Sequence, residues 1–209
     1  MRQTAMLVSA LVLLATVLAA SAAARSPHQV DPDLMIPPLN PNLAPWTCWD
    51  TGRGPICEAS VRESFAGDDI GETCAGQPIY ATGSFTDRVT RWHTPDGRAT
   101  KTVAVAGARE TWSLSADGSG PTISVHWHVS RHYTYFTPGE LSDRQLTEAG
   151  AWWIATAPGS GLIFRDAGKI TYDVGAANDF NNPVEMRGQF DTWMDWDGAL
   201  ERACAALAG

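Results

Sequence analysis

Between Ile79 and Val174 apolar and polar residues alternate in long runs separated by glycine-containing links. A period of two marks strands with one dry and one wet face. The runs are Ile79–Trp92, ending at Pro95-Asp96-Gly97; Thr100–Leu114, ending at Asp117-Gly118-Ser119-Gly120; and Thr122–Phe136, ending at Pro138-Gly139. A polar excursion leads to Gly150–Thr156, then Pro158-Gly159-Ser160-Gly161, then a fifth run, Leu162–Val174. Glycine in such links supplies backbone angles that other residues resist, so each link reads as a hairpin. Ile56–Phe65 offers one more strand. Long strands in series predict an all-β fold: an antiparallel meander that closes into a small barrel and thereby hides its edges. At the C-terminus the period changes. Leu200, Ala203, Cys204 and Leu207 fall at helical spacing, which predicts a short C-terminal helix with Asp197 as its cap.

The same period assigns each strand a dry face. Ile79, Ala81, Gly83, Phe85 and Val89 share one side of the first; Ile123, Val125, Trp127, Val129, Tyr133 and Tyr135 share one side of the third; Leu162, Phe164, Ile170, Tyr172 and Val174 share one side of the fifth. The second run is mixed, which suggests a bulge near Gly107. Four charges interrupt the dry faces: Asp87, Arg91, Arg131 and Asp166. Charges facing an apolar interior are costly unless paired. Two acids and two arginines fit internal ion pairs. They equally fit a polar patch in a ligand pocket, where a carboxylate could serve as acid or base. These four are the candidate ligand-binding residues.

Nine tryptophans bear on the packing. Trp127 lies on a dry face, whereas Trp152 and Trp153 cannot both point inward on one regular strand. Trp46, Trp49, Trp193 and Trp196 flank cysteines or the terminal helix, where they are expected to pack beneath the tied ends. His126, His128 and His132 share the wet side of the third strand. Their spacing, Gly120-x5-His126-x-His128-x3-His132-x6-Gly139, resembles the first metal motif of the cupins, with His132 where that family has glutamate. No histidine follows His132 to supply the second motif, so no metal is assigned and no cofactor is expected.

Residues 1–24 follow the plan of a cleavable export signal: Arg2, an apolar stretch from about Met6 to Ala20, then Ala22-Ala23-Ala24 ahead of Arg25. Residues 25–47 hold six prolines, at 27, 32, 37, 38, 41 and 45, and read as an extended arm or spacer. Residues 48–209 then form one domain. Export would remove one arginine of the 15 Lys+Arg and none of the 23 Asp+Glu, leaving the chain one charge more negative than its full-length −8. Such a balance disfavours nucleic acid as a partner. No second long apolar segment follows, so no stable membrane insertion is expected after cleavage and the protein is expected to be secreted. Four cysteines in an exported chain read as two disulfides. Of the three connectivities, Cys48–Cys57 and Cys74–Cys204 are favoured. The first closes a small loop through Gly52-Arg53-Gly54-Pro55, and the second ties the helix to the body. A reducing agent should then loosen the loop region and the helix before the strands.

Cys48-x8-Cys57, Trp92-His93-Thr94-Pro95-Asp96-Gly97, Pro158-Gly159-Ser160-Gly161 and Arg165-Asp166-Ala167-Gly168 resemble a group of small secreted actinobacterial proteins of uncharacterised function. The resemblance spans about residues 48–174 and implies a barrel of the allene oxide cyclase, dirigent and lipocalin type. It carries no catalytic residues across. Together with the absence of a nucleophile–base motif such as Gly-x-Ser-x-Gly, this favours a binding protein over an enzyme. The expected ligand is a small apolar or amphipathic molecule, or a cell-envelope component. The alternatives are a cofactor-independent isomerase or cyclase using Asp87 or Asp166 with Arg131, and a structural or partner-binding envelope protein.

Overall fold

The computed structural model describes residues 28–174 and 183–209. The segment read as an export signal lies outside them. Among the described residues nine strands form a single antiparallel sheet in chain order. They are β1 (His28–Val30), β2 (Thr47–Asp50), β3 (Pro55–Cys74), β4 (Gln77–His93), β5 (Ala99–Ser113), β6 (Thr122–Tyr135), β7 (Arg144–Ala157), β8 (Gly161–Val174) and β9 (Glu185–Phe190). Two helices follow, α1 (Asp191–Met194) and α2 (Trp196–Ala208). The meander and the C-terminal helix are therefore as the pattern predicted. Closure is another matter: among the described residues no ladder joins β9 back to β1.

Several local expectations change. The residues read as a polar excursion before Gly150 are the first half of β7. Opposite β4, β5 keeps an unbroken register from Tyr80↔Ser113 to Trp92↔Lys101, so no bulge sits at Gly107. That strand reads as mixed because its buried positions are small, Ala104, Ala106 and Ala108, while Val105 faces outward. The cap of α2 is Asp195 rather than Asp197: its Oδ1 accepts the Gly198 N–H at 3.0 Å.

From His28 onward the proline-rich segment is a strap folded onto the sheet. Asp31 and Asn40 each cap a 3-10 turn with proline in its first positions, which needs no ladder. Between the turns Met35 is buried, and Ile36 exchanges backbone hydrogen bonds with Gly97 and Ala99.

Apolar burial divides between the two ends of the sheet. At one end Ile79, Trp112, Ile123, Val125, Ala155 and Phe164 pack with Ala199, Ala203 and Leu207 of α2. Trp112 of β5 lies 6.2 Å from Phe164 of β8, ring centre to ring centre. Strands three places apart are ~14 Å apart on a flat sheet, so the sheet curls toward α2. Toward the other end Leu146, Ile170, Tyr172 and Phe190 form a second cluster. Both disulfides join the expected partners, Cys48–Cys57 across β2 and β3 and Cys74–Cys204 from β3 to α2.

A bulge between Ala151 and Trp153 in β7 resolves the tryptophan pair. The extra residue lets Trp152 pack on Phe190 at 5.4 Å while Trp153 meets Trp112 at 5.9 Å. Both rings thus reach packed clusters, which a regular strand forbids.

Candidate functional site

Register decides which charged side chains share the concave face. Asp87 aligns with Ala106, and Ala106 with Val129. One pair further along, Ala104 aligns with Arg131 and Arg131 with Glu148. The next row runs from Arg91 through Thr102, Tyr133 and Leu146 to Tyr172. Acids, arginines and tyrosines thus lie side by side on the concave face, at the end of the sheet away from α2.

Within this group Arg131 Nε donates to Glu148 Oε1 at 2.7 Å. Asp87 sits in the field of the same guanidinium, yet burial outweighs that attraction and raises its pKa above the ordinary carboxylate value. Its Oδ1 is buried and accepts no hydrogen bond. Arg91 reaches the strap, where Nη1 donates to the carbonyls of Pro37 and Pro38 at 3.0 and 3.4 Å. Its Nε is buried without a partner, and burial lowers its pKa. Beside it, His93 is 5 % exposed. Its Nδ1 lies 3.2 Å from the Pro55 carbonyl oxygen, which fixes that nitrogen as the donor and leaves Nε2 as an acceptor. Nε2 too is buried and unpartnered. Burial first, with the Arg91 charge as a smaller contribution, brings the His93 pKa down to about 4, so the ring is neutral at pH 7. Burial also raises Tyr133, and Tyr172 to about 12, keeping both phenols protonated.

Three of the four candidate residues, Asp87, Arg91 and Arg131, therefore share one polar region. Asp166 does not join it. Its carboxylate accepts the Thr192 backbone N–H at 2.8 Å and the Thr192 hydroxyl, and so anchors α1 to β8. The pairing of two acids with two arginines is replaced by an Arg131–Glu148 pair with Asp87 nearby. Sequence reasoning missed Glu148 and His93. Arg144, Leu146 and Glu148 share one parity, a signal present in the segment read as an excursion.

His126, His128 and His132 are exposed on the opposite face. Among the described residues no three His, Cys, Asp or Glu side chains converge to hold a metal. No described helix is long and apolar enough to cross a membrane. Fold and site define a curled antiparallel meander with a helix across one end of its concave face and a buried polar row toward the other. No family model, no curated protein and no solved structure matches the chain.

Proposed function

We propose that the chain is an exported binding protein whose curled sheet encloses, barrel-like, an elongated amphipathic ligand. The observation that carries this reading is the set of three buried, unpartnered polar atoms: Asp87 Oδ1, Arg91 Nε and His93 Nε2. Buried polar atoms without partners are rare in folded proteins, and a missing ligand is one physical reason for them. All three belong to β4. Residues 87 and 91 are four apart on a strand, or ~13 Å. Arg91 suits an acidic head group, and Asp87 a hydroxyl deeper in. On β5 the small side chains Ala106, level with Asp87, and Ala104, level with Val89, leave room for an apolar body alongside those points. Export accords with two disulfides, which persist in oxidising compartments, and with residues 1–24 read as a signal.

The probe is 12-hydroxydodecanoate, with dodecanoate and dodecanol as controls, read by native mass spectrometry and thermal shift. The hydroxy acid should bind best. Asp87→Asn should reduce its affinity to that of dodecanoate while raising the melting temperature, because a buried charge is removed. If none of the three amphiphiles binds, or if Asp87→Asn leaves the preference for the hydroxy acid intact, the reading fails. The enzymatic alternative rests on Asp87 with Arg131 alone, since Asp166 is spent on Thr192.

A further inference from the structure

The convex side of β4, β5 and β6 carries a feature that the concave site does not use. Two adjoining hollows of about 470 and 340 Å³ run along β5 and share Arg109 and His126. One wall is Thr82, Ser84 and Thr86 of β4; the other includes His126 and His128 of β6; Arg109 stands between them. Gly107 keeps the floor open, since a Cβ there would lie 2.9 Å from the Trp127 carbonyl oxygen and 3.3 Å from the His128 ring. Arg88 is exposed on the same face of β4, and exposed Arg62 pairs with Thr86 from β3. On a chain of net charge −8 this is a local concentration of cations and hydroxyls, and Glu110, which also lines the first hollow, has its carboxylate engaged by the indole N–H groups of Trp112 and Trp127.

We infer that this groove binds a linear acidic polysaccharide. A guanidinium offers a fork that matches a carboxylate. The flanking Ser and Thr hydroxyls, each both donor and acceptor, ask for an occupant with closely spaced hydroxyls of its own. A sugar chain bearing carboxylates supplies both groups, whereas a polyphosphate supplies only charge. The groove follows β5 from Thr111 to Gly107, ~13 Å of strand, a span that suits a short stretch of a polymer. The inference is independent of the concave-face reading, because the two sites lie on opposite faces of the sheet.

The test is titration of the exported chain with polygalacturonate, neutral dextran and inorganic polyphosphate at low salt, followed by calorimetry. Polygalacturonate should bind and dextran should not. Arg109→Glu should weaken binding at least tenfold, and His126→Gln with His128→Gln several-fold, with circular dichroism unchanged. Asp87→Asn should bind polygalacturonate like the parent protein. Three results would overturn the inference: no binding of polygalacturonate, binding that survives Arg109→Glu, or polyphosphate binding of equal strength with the same dependence on Arg109.

Discussion

His93 shows how one buried side chain sets a pH response. Its folded pKa of about 4 lies below the 6.5 of the free side chain. Between those values the unfolded chain takes up a proton that the folded chain refuses, so stability is full above pH 6.5 and falls as the pH drops toward 4. The shift corresponds to on the order of 3 kcal/mol at most. Asp87 opposes it in part, because a raised carboxyl pKa favours the folded state on acidification. Urea unfolding at pH 7 and pH 5 should show the loss, and His93→Gln should flatten it. Parity along β4 and β6 makes Asp87, Arg91 and Arg131 legible in the sequence as inward charges. Their partners are less legible. Glu148 is reached only through the β6–β7 register, which a bulge between His126 and His128 displaces. Thr192, the partner of Asp166, arrives 26 residues later from another element. Periodicity reports which face a side chain takes, but it carries no information on which distant residue meets it.

At the scale of elements, curvature depends on a row of glycines. Gly150 of β7 pairs with Gly168 of β8, which pairs with Gly188 of β9. Gly168 has φ +155°, and a Cβ on it would lie 2.1 Å from the Arg187 carbonyl oxygen. The neighbouring backbone fills the place a side chain would take, as where a strand bends sharply. Gly168→Ala should cost about 3 kcal/mol from backbone strain and displacement of β9. Chemical denaturation measures that cost, and hydrogen exchange should show the loss concentrated in the β8–β9 ladder. The strands themselves were readable from their alternation and their turns. β1, β2 and β9 are not, because three, four and six residues are too few for a period to stand out, and the polar ends of β3 beyond Phe65 and of β7 before Gly150 read as connections. The strap is hard to read in the sequence for a different reason. Proline density excludes long ladders, but it does not exclude two side-chain-capped turns packed against a sheet edge.

For the whole molecule, α2 and the Cys74–Cys204 bond govern cooperativity. Removing the bond by Cys74→Ala with Cys204→Ala frees a loop with a sequence separation of 130, worth ~5 kcal/mol in chain entropy. The Cys48–Cys57 bond, with a separation of 9, is worth ~3 kcal/mol on the same scale. The sequence alone suggests that reduction loosens the loop region and the helix ahead of the strands. Because Ala199, Ala203 and Leu207 share one core with Ile79, Trp112 and Phe164, release of α2 strips the strands of their packing. Reduction should therefore lower the midpoint of a single thermal transition, with helical and tryptophan signals lost together.

The Cys74–Cys204 bond also makes most of the chain a closed covalent ring. A protease that cuts the exposed turn at Pro158-Gly159-Ser160 would leave two pieces still joined through sulfur. The nicked protein would run as one band without reductant and as two with it. In surroundings rich in proteases, a single cut would open the ring without parting the fragments.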